Sequence, residues 1–292
     1  MRSLHFHSKR VSVTLATIQV AAVVILIQQT RRALDIVSPF KRISVDANKS
    51  QPHWTGLKDT SLARTLLPPL RKSISDDEKR MLQVAVYIVF DFGDPFWEQE
   101  SLRESLRANT DWLLIHYVAV HNSGRIPHNE GCRIAFQQGA DYIVRVNDDT
   151  GFHGQSWISA AIKTFQGYSP HNLGVVGPVC EEGNTEILTH DMVHRTHLQI
   201  FEDYYPREFD NWWLDDWISS VYGESHTTRL KEWVVTHHVD IHGQRYLENS
   251  TQKLLLPKIL IRSKQKIIDY LTSSNHEATC NTTHLSEEVK IL

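Results

Sequence analysis

The chain has 292 residues, enough for one or two domains, and its 41% hydrophobic and 22% charged content is that of a globular protein able to bury a core. A net charge of −3 with no polybasic run argues against nucleic acid as a partner. The three cysteines, Cys132, Cys180 and Cys280, exclude a disulfide framework and contain no CxxC zinc or redox spacing, leaving one bridge such as Cys132 to Cys180 open.

Val11 to Ile27 is free of charge, and the uncharged run continues to Thr30 between the basic brackets Lys9-Arg10 and Arg31-Arg32. That is close to the ~20 residues that cross a bilayer as a helix. No A-x-A-like cleavage site ends it. The expectation is a cytosolic tail at 1–10 and a transmembrane signal-anchor at 11–30. Basic residues on both sides leave the orientation undecided. Three sequons, at Asn48, Asn249 and Asn281, lie C-terminal to the span and favour a lumenal body, in the Golgi or endoplasmic reticulum membrane. Residues 31–79 carry Pro39, Pro52, Pro68-Pro69 and a Ser75-Asp-Asp-Glu run with little periodicity, and read as a stem.

Residues 80–248 alternate strand and helix patterns. Leu82 to Phe90 and Leu113 to Val120 read as strands, and Phe96 to Leu106 as an amphipathic helix between them. Asn129 to Gly139 reads as a helix with Asn129 as N-cap and Gly139 as its stop. Tyr142 to Val146 is a third strand, Trp157 to Phe165 a third helix, and Leu173 to Val176 a further strand. This alternation predicts an α/β fold, mainly parallel, with helices on both faces of the sheet.

The strand Tyr142 to Val146 ends abruptly in Asn147-Asp148-Asp149. In open α/β sheets the carboxyl ends of strands are where ligands bind. Two adjacent carboxylates there repel one another unless a cation or a positively charged ligand neutralises them. The simpler alternative is a solvated turn with helix-capping Asp.

Asn129-x-Gly131-x-Arg133-x-Ala135-x-x-x-Gly139-x-Asp141-Tyr142-Ile143, running into Asn147-Asp148-Asp149, resembles the donor half of a GT-A glycosyltransferase. The resemblance covers roughly residues 82–246. It implies a Rossmann-like GT-A domain that transfers a sugar from a UDP- or GDP-linked donor to a glycan or glycoprotein hydroxyl, with Mn²⁺ or Mg²⁺. It implies Asp149 as metal ligand, Asp148 or Asn147 toward the ribose or sugar, Arg133 near the diphosphate and Asp91 near the base. The motif here is Asn-Asp-Asp rather than Asp-x-Asp. Its chemical logic is that a departing diphosphate accumulates negative charge, which a carboxylate-held cation offsets.

Further on, His190, His194 and His197 stand at i, i+4 and i+7, one face of a helix if the segment is helical. They suggest either a polar face lining an acceptor cleft or the ligands of a metal-dependent hydrolase. Trp212, Trp213, Trp217 and Tyr222 surround Asp215-Asp216. Aromatic faces stack on sugars, so Trp212, Trp213 and Trp217 are acceptor-binding candidates, although aromatics at helical spacing also pack cores. Acids at a helix start are favoured by its dipole in any case. The resemblance implies that one of the pair is the general base, Asp216 before Asp215, and so an inverting reaction. After a strand at Lys231 to Val235, the resemblance implies a histidine in the metal shell, with His237, His238 and His242 in range and His238 and His242 taken as ligands. Arg245 is a phosphate candidate. Residues 249–292 read as a helix over Leu254 to Leu271 and a loose tail. A catalytically inactive, glycan-binding relative remains the alternative to an enzyme.

Overall fold

The computed structural model describes residues 22–29, 56–108, 110–121, 125–238 and 248–273. The first described segment, β1 (Ala22–Gln28), is a strand. A short turn of helix at Leu57–Asp59 and a π-turn at Leu62–Leu66 lead into α1 (Leu67–Ser73) and α2 (Asp76–Met81). There follow β2 (Gln83–Asp91), α3 (Glu100–Ala108), β3 (Leu114–Val120), α4 (His128–Gln137), β4 (Tyr142–Val146), β5 (Thr150–His153) and α5 (Trp157–Gly167). The remainder is β6 (Val175–Cys180), β7 (Asp191–His194), α6 (Thr196–Phe201), α7 (Leu214–Val221), β8 (Thr227–His237), α8 (Ser250–Lys253) and α9 (Leu256–Ser273).

All eight strands form one sheet in the order β3-β2-β1-β4-β7-β6-β8-β5. Two of the seven pairings, β2 with β3 and β6 with β8, are parallel, so the sheet is mixed rather than mainly parallel. Direction still follows a rule. β1 is antiparallel to both β2 and β4, and β7 is antiparallel to both β4 and β6. Hence β2, β3, β4, β6 and β8 all point one way, and β1, β5 and β7 point back.

Successive side chains of each strand point to opposite faces, and both faces are covered. Val23, Ile25, Val86, Ile88, Val144 and Val146 share one core with α1 and α5, built on Leu67, Leu70, Trp157 and Phe165. Val24, Leu26, Tyr87, Val89 and Ile143 share the other with α4, α6, α7 and α9, built on Cys132, Ala135, Leu198, Trp217 and Ile259. Helices on both faces were expected, and they are present.

Two expectations from the N-terminal region fail on the described residues. Ala22 to Gln28, expected inside a membrane helix, is a strand inserted between β2 and β4, with Val23 to Ile27 wholly buried. Its residues are apolar because both faces of a central strand are covered, the same reason that makes a membrane span apolar. Among the described residues no helix is long and apolar enough to cross a membrane. The earlier part of the expected anchor, with His242, Arg245, Asn48 and Asn281, lies outside the described residues. The stem reading fails from residue 56 onward: Leu62, Leu66, Leu67 and Leu70 are buried in the core, and α2 opens with a capping box in which Ser75 and Glu78 exchange hydrogen bonds.

Candidate functional site

The strand directions bring the carboxyl ends of β2, β4, β6 and β8 to a single edge. The register fixes how they lie there. Val23 pairs with Ile88 on one side and with Val146 on the other. Asp91 closes β2 and Asn147 to Asp149 follow β4, so both groups lie at that edge of the sheet. The ends of β6 and β8 add Glu181, Glu182, His237 and His238 to that edge.

Asp148 and Asp149 are both buried. Asp148 accepts a hydrogen bond at 2.7 Å from Ser61 Oγ, contributed by the segment expected to be stem. Asp149 Oδ1 lies 3.3 Å from His237 Nε2, and the Asn147 amide reaches the same ring nitrogen at 2.9 Å. The backbone continues the match, His238 N donating to Asp149 O at 3.1 Å. The histidine beside Asp149 is thus His237 and not His238. His238 alternates to the other face of β8, where its ring lies over Gly151 and 3.8 Å from Glu182.

Behind His237, His190 stands edge-on with ring centroids 5.1 Å apart, and its Nε2 is 2.7 Å from Thr150 Oγ1. Burial first, then His237 and Arg145, push the His190 pKa well below its ordinary value, so it is a neutral hydrogen-bonding group. The helix expected for His190, His194 and His197 does not form. Asp191 to His194 is β7, and the three rings diverge. His194 caps Thr196 at 2.7 Å, whereas His197 is buried on α6 between the Tyr222 hydroxyl and the Tyr204 carbonyl. His190, His194 and His197 have separate partners and do not converge on one metal site, and among the described residues no three His, Cys, Asp or Glu side chains are grouped to hold a metal.

The acidic pair on α7 divides. Asp215 forms an ion pair with Arg145, which rises from the middle of β4. Its pKa is raised, by burial first, with Arg145 pulling the other way and Asp191 adding to the rise; His237 is among the groups whose charge it feels. Its side chain nevertheless keeps 35% of its surface exposed. Asp216, one residue on and about 100° around the helix, has its pKa raised by burial and feels Lys253 instead. Asp215, ranked second from the sequence, is the acid that belongs to this edge.

Trp213 caps α7 with φ of 71°, a left-handed conformation costly for a bulky residue. It is held there by its indole N–H, which donates to Asn249 O at 3.2 Å, and by Lys253 Nζ 5.0 Å over its ring. Trp212 is 37% exposed. Trp217 is 1% exposed, its indole donating to Ser263 on α9, and it is core rather than an acceptor contact. Arg133, expected at the diphosphate, faces outward from α4 and pairs with Asp203, which also binds Arg207. Cys132 and Cys180 are free and buried. The sequence reading missed Ser61, Arg145 and Asp191 as contributors, and it gave His190 a place on a helix face rather than behind His237. Of these only Arg145 carried a signal, a charge inside an otherwise apolar strand.

The fold and the site define an α/β protein with a cluster of acidic and histidine side chains at the carboxyl edge of its sheet. No protein-family model matches the chain, and no curated protein does. Among solved structures it is similar to S. aureus TarS 1–349, with a TM-score of 0.43 and 14% identity over 79% of this chain. The match spans 66% of that chain. A likeness this loose leaves the functional argument to the residues themselves.

Proposed function

We propose that the protein is a glycosyltransferase that moves a sugar from a nucleoside-diphosphate donor to a glycan or glycoprotein hydroxyl with inversion. The observation that carries this reading is the meeting of Asn147 and Asp149 with His237 at one sheet edge, next to the strand whose Arg145 holds Asp215. Asp149 and His237 offer one oxygen and one nitrogen donor close together. The carboxylate would suit Mn²⁺ or Mg²⁺, for which one or two protein carboxylates suffice when substrate phosphate oxygens and water complete the shell, and the imidazole would be the softer second donor. Such a cation would offset the charge of the departing diphosphate.

The chain's own residues do the rest. Asp148, fixed by Ser61, and Asn147 would orient the donor, and Asp91, at the same edge of the sheet, would serve its nucleoside end. Asp215 would take the acceptor hydroxyl proton. The oxygen so freed forms its bond to the anomeric carbon from the face opposite the diphosphate, which leaves with the electrons of the broken C–O bond. Trp212 and Trp213, just ahead of Asp215, would stack on the acceptor sugar. Placement in the Golgi or endoplasmic reticulum is part of the same proposal. Among the described residues it rests on one sequon, Asn249, exposed at the start of α8.

The test is calorimetric titration of UDP and GDP into the protein with and without Mn²⁺, repeated on Asp149→Asn. Metal-dependent binding that the variant loses supports the reading, and the preferred nucleotide narrows the sugar. Binding of neither nucleotide under any condition overturns it.

A further inference from the structure

We propose that Arg145 is a positioning residue for Asp215: from inside the sheet it clamps one carboxylate oxygen and leaves the other open to solvent. The proposal rests on the reading of Asp215 as proton acceptor.

A charged guanidinium 3% exposed in mid-strand costs several kcal/mol unless it is fully paired. Here every arm of the fork is engaged. Nε donates to Tyr205 Oη at 2.7 Å and Nη1 to Thr189 O at 2.5 Å. Nη2 lies 2.9 Å from Asp191 Oδ2 and also donates to Asp215 Oδ1. Burial alone would depress the Arg145 pKa, but Tyr205, Asp215 and Asp191 hold it well above its ordinary value.

The clamp is itself fixed. Asp191 is Arg145's register partner on β7, and its two oxygens receive the hydroxyls of Tyr204 and Tyr205 at 2.6 Å each. Tyr205 is tied in turn to α4, where Asn129 donates to its carbonyl at 2.9 Å and accepts from its N–H at 2.7 Å.

Charge separates the roles of the two acids. Asp191 by itself balances Arg145, so the second carboxylate is surplus to the ion pair. One buried cation faces two carboxylates, and the cluster keeps a net charge of −1. Asp191 is saturated with donors and wholly buried, so it cannot reach a substrate. Asp215 has one oxygen held, and among the described residues nothing donates to the other. The groups facing it are Arg145 on β4, Asp191 on β7, His237 on β8 and Tyr205 after α6, while Ser219 on its own helix binds only its backbone carbonyl. A carboxylate held by one oxygen, at the exposed end of a net anionic cluster, is arranged to accept a proton without moving. A carboxylate recruited only for stability would gain nothing from its open side.

The test follows the Asp215 carboxyl by ¹³C NMR in aspartate-labelled protein across pH, assigned with Asp215→Asn. UDP and GDP binding with Mn²⁺ and turnover of UDP-glucose and GDP-mannose are measured alongside. Arg145→Met is the direct variant. Because it strands Asp191 inside the sheet, Tyr205→Phe is the second, removing one hydrogen bond from each of Arg145 and Asp191 and keeping the ion pair. The expected result is an upward move of the Asp215 midpoint by about one pH unit in Arg145→Met and a smaller move of the same sign in Tyr205→Phe. Turnover falls by on the order of tenfold or more while nucleotide affinity stays within about twofold. An unmoved Asp215 midpoint in a folded Arg145→Met overturns the proposal, as does an unmoved midpoint in Tyr205→Phe if the first variant does not fold. If the native protein neither binds nucleotide nor consumes donor, the proposed function falls, and the NMR midpoints still decide whether Arg145 holds Asp215.

Discussion

β1 and β4 lie side by side in the middle of the sheet, and both are covered on both faces. They differ in one residue type. β1 presents only apolar side chains along Val23 to Ile27, whereas β4 interrupts its apolar run with Arg145. The apolar strand can be read from sequence as a strand, a core helix or a membrane span, because all three ask for dehydration and nothing more. The interrupted strand is specific. A cation in that position demands a carboxylate on the next strand and fixes which face meets α7.

The comparison breaks most completely at Ile25, which is fully buried between β2 and β4. Ile25→Asp would place an unpaired carboxylate there at a cost of at least ~5 kcal/mol, comparable to the whole stability of a domain. The expected outcome is loss of the cooperative melt and of near-ultraviolet circular dichroism. A variant that melts within a few degrees of the native protein would remove β1 from the sheet.

On the face that carries Arg145, stability should answer to pH. Burial depresses the pKa of His197 from 6.5 to about 4. The fold therefore prefers the neutral ring, and between these values the unfolded chain binds the extra proton. Stability is full above about pH 6.5, falls as the pH drops, and has lost about 3 kcal/mol from this one ring near pH 4. His190 and His128 are shifted in the same direction. Urea midpoints at pH 7 and pH 4.5 should differ less in His197→Gln than in the native protein. An equal difference in both would exonerate this ring.

Gly131 tests the contact between α4 and β1 more gently. A Cβ there would sit 2.7 Å from Val89 Cγ2 and 3.0 Å from Val24 Cγ2, so the helix rests directly on both strands. Gly131→Ala should cost about 2 kcal/mol through overpacking, and Val24→Ala in the same chain should recover part of that loss. Strict additivity of the two changes would mean that α4 does not touch β1. The smallest effect on stability is expected at Trp212, which is 37% exposed, where Trp212→Ala should cost about 1 kcal/mol. Its readout is acceptor affinity, and unchanged affinity for a glycan acceptor would remove Trp212 from the acceptor site.

Legibility from sequence followed the range of the interaction that decides each element. Tyr142 to Val146 emerges with the expected bounds, and β2, β3, α4 and α5 lie within a few residues of theirs, because hydrophobic period acts locally. The expected cap of α4 fails, since Pro127 is its N-cap and Asn129 lies inside the helix with its side chain bonded to Tyr205. The His190 segment misled because Asp191 to His194 is too short for its spacing to distinguish helix from strand, and pairing with β4 decided the matter. Asp215 and Asp216 are indistinguishable as neighbours in a sequence, and a guanidinium 70 residues away separates them. His237 and His238 were separated in the same way, by which face of β8 meets Asp149.

By itself the sequence determined that the chain folds as strands alternating with helices, that its sheet is covered on both faces, and that Asn147 to Asp149 ends a buried strand. Those outcomes depend on short-range patterning, which each segment carries within itself. Only the tertiary structure decided that Ala22 to Gln28 belongs to the sheet, that Ser61 and Arg145 serve the site, and which acid and which histidine face it. Each of these depends on a partner far along the chain, and burial rewards equally any arrangement that excludes water until that partner is in place.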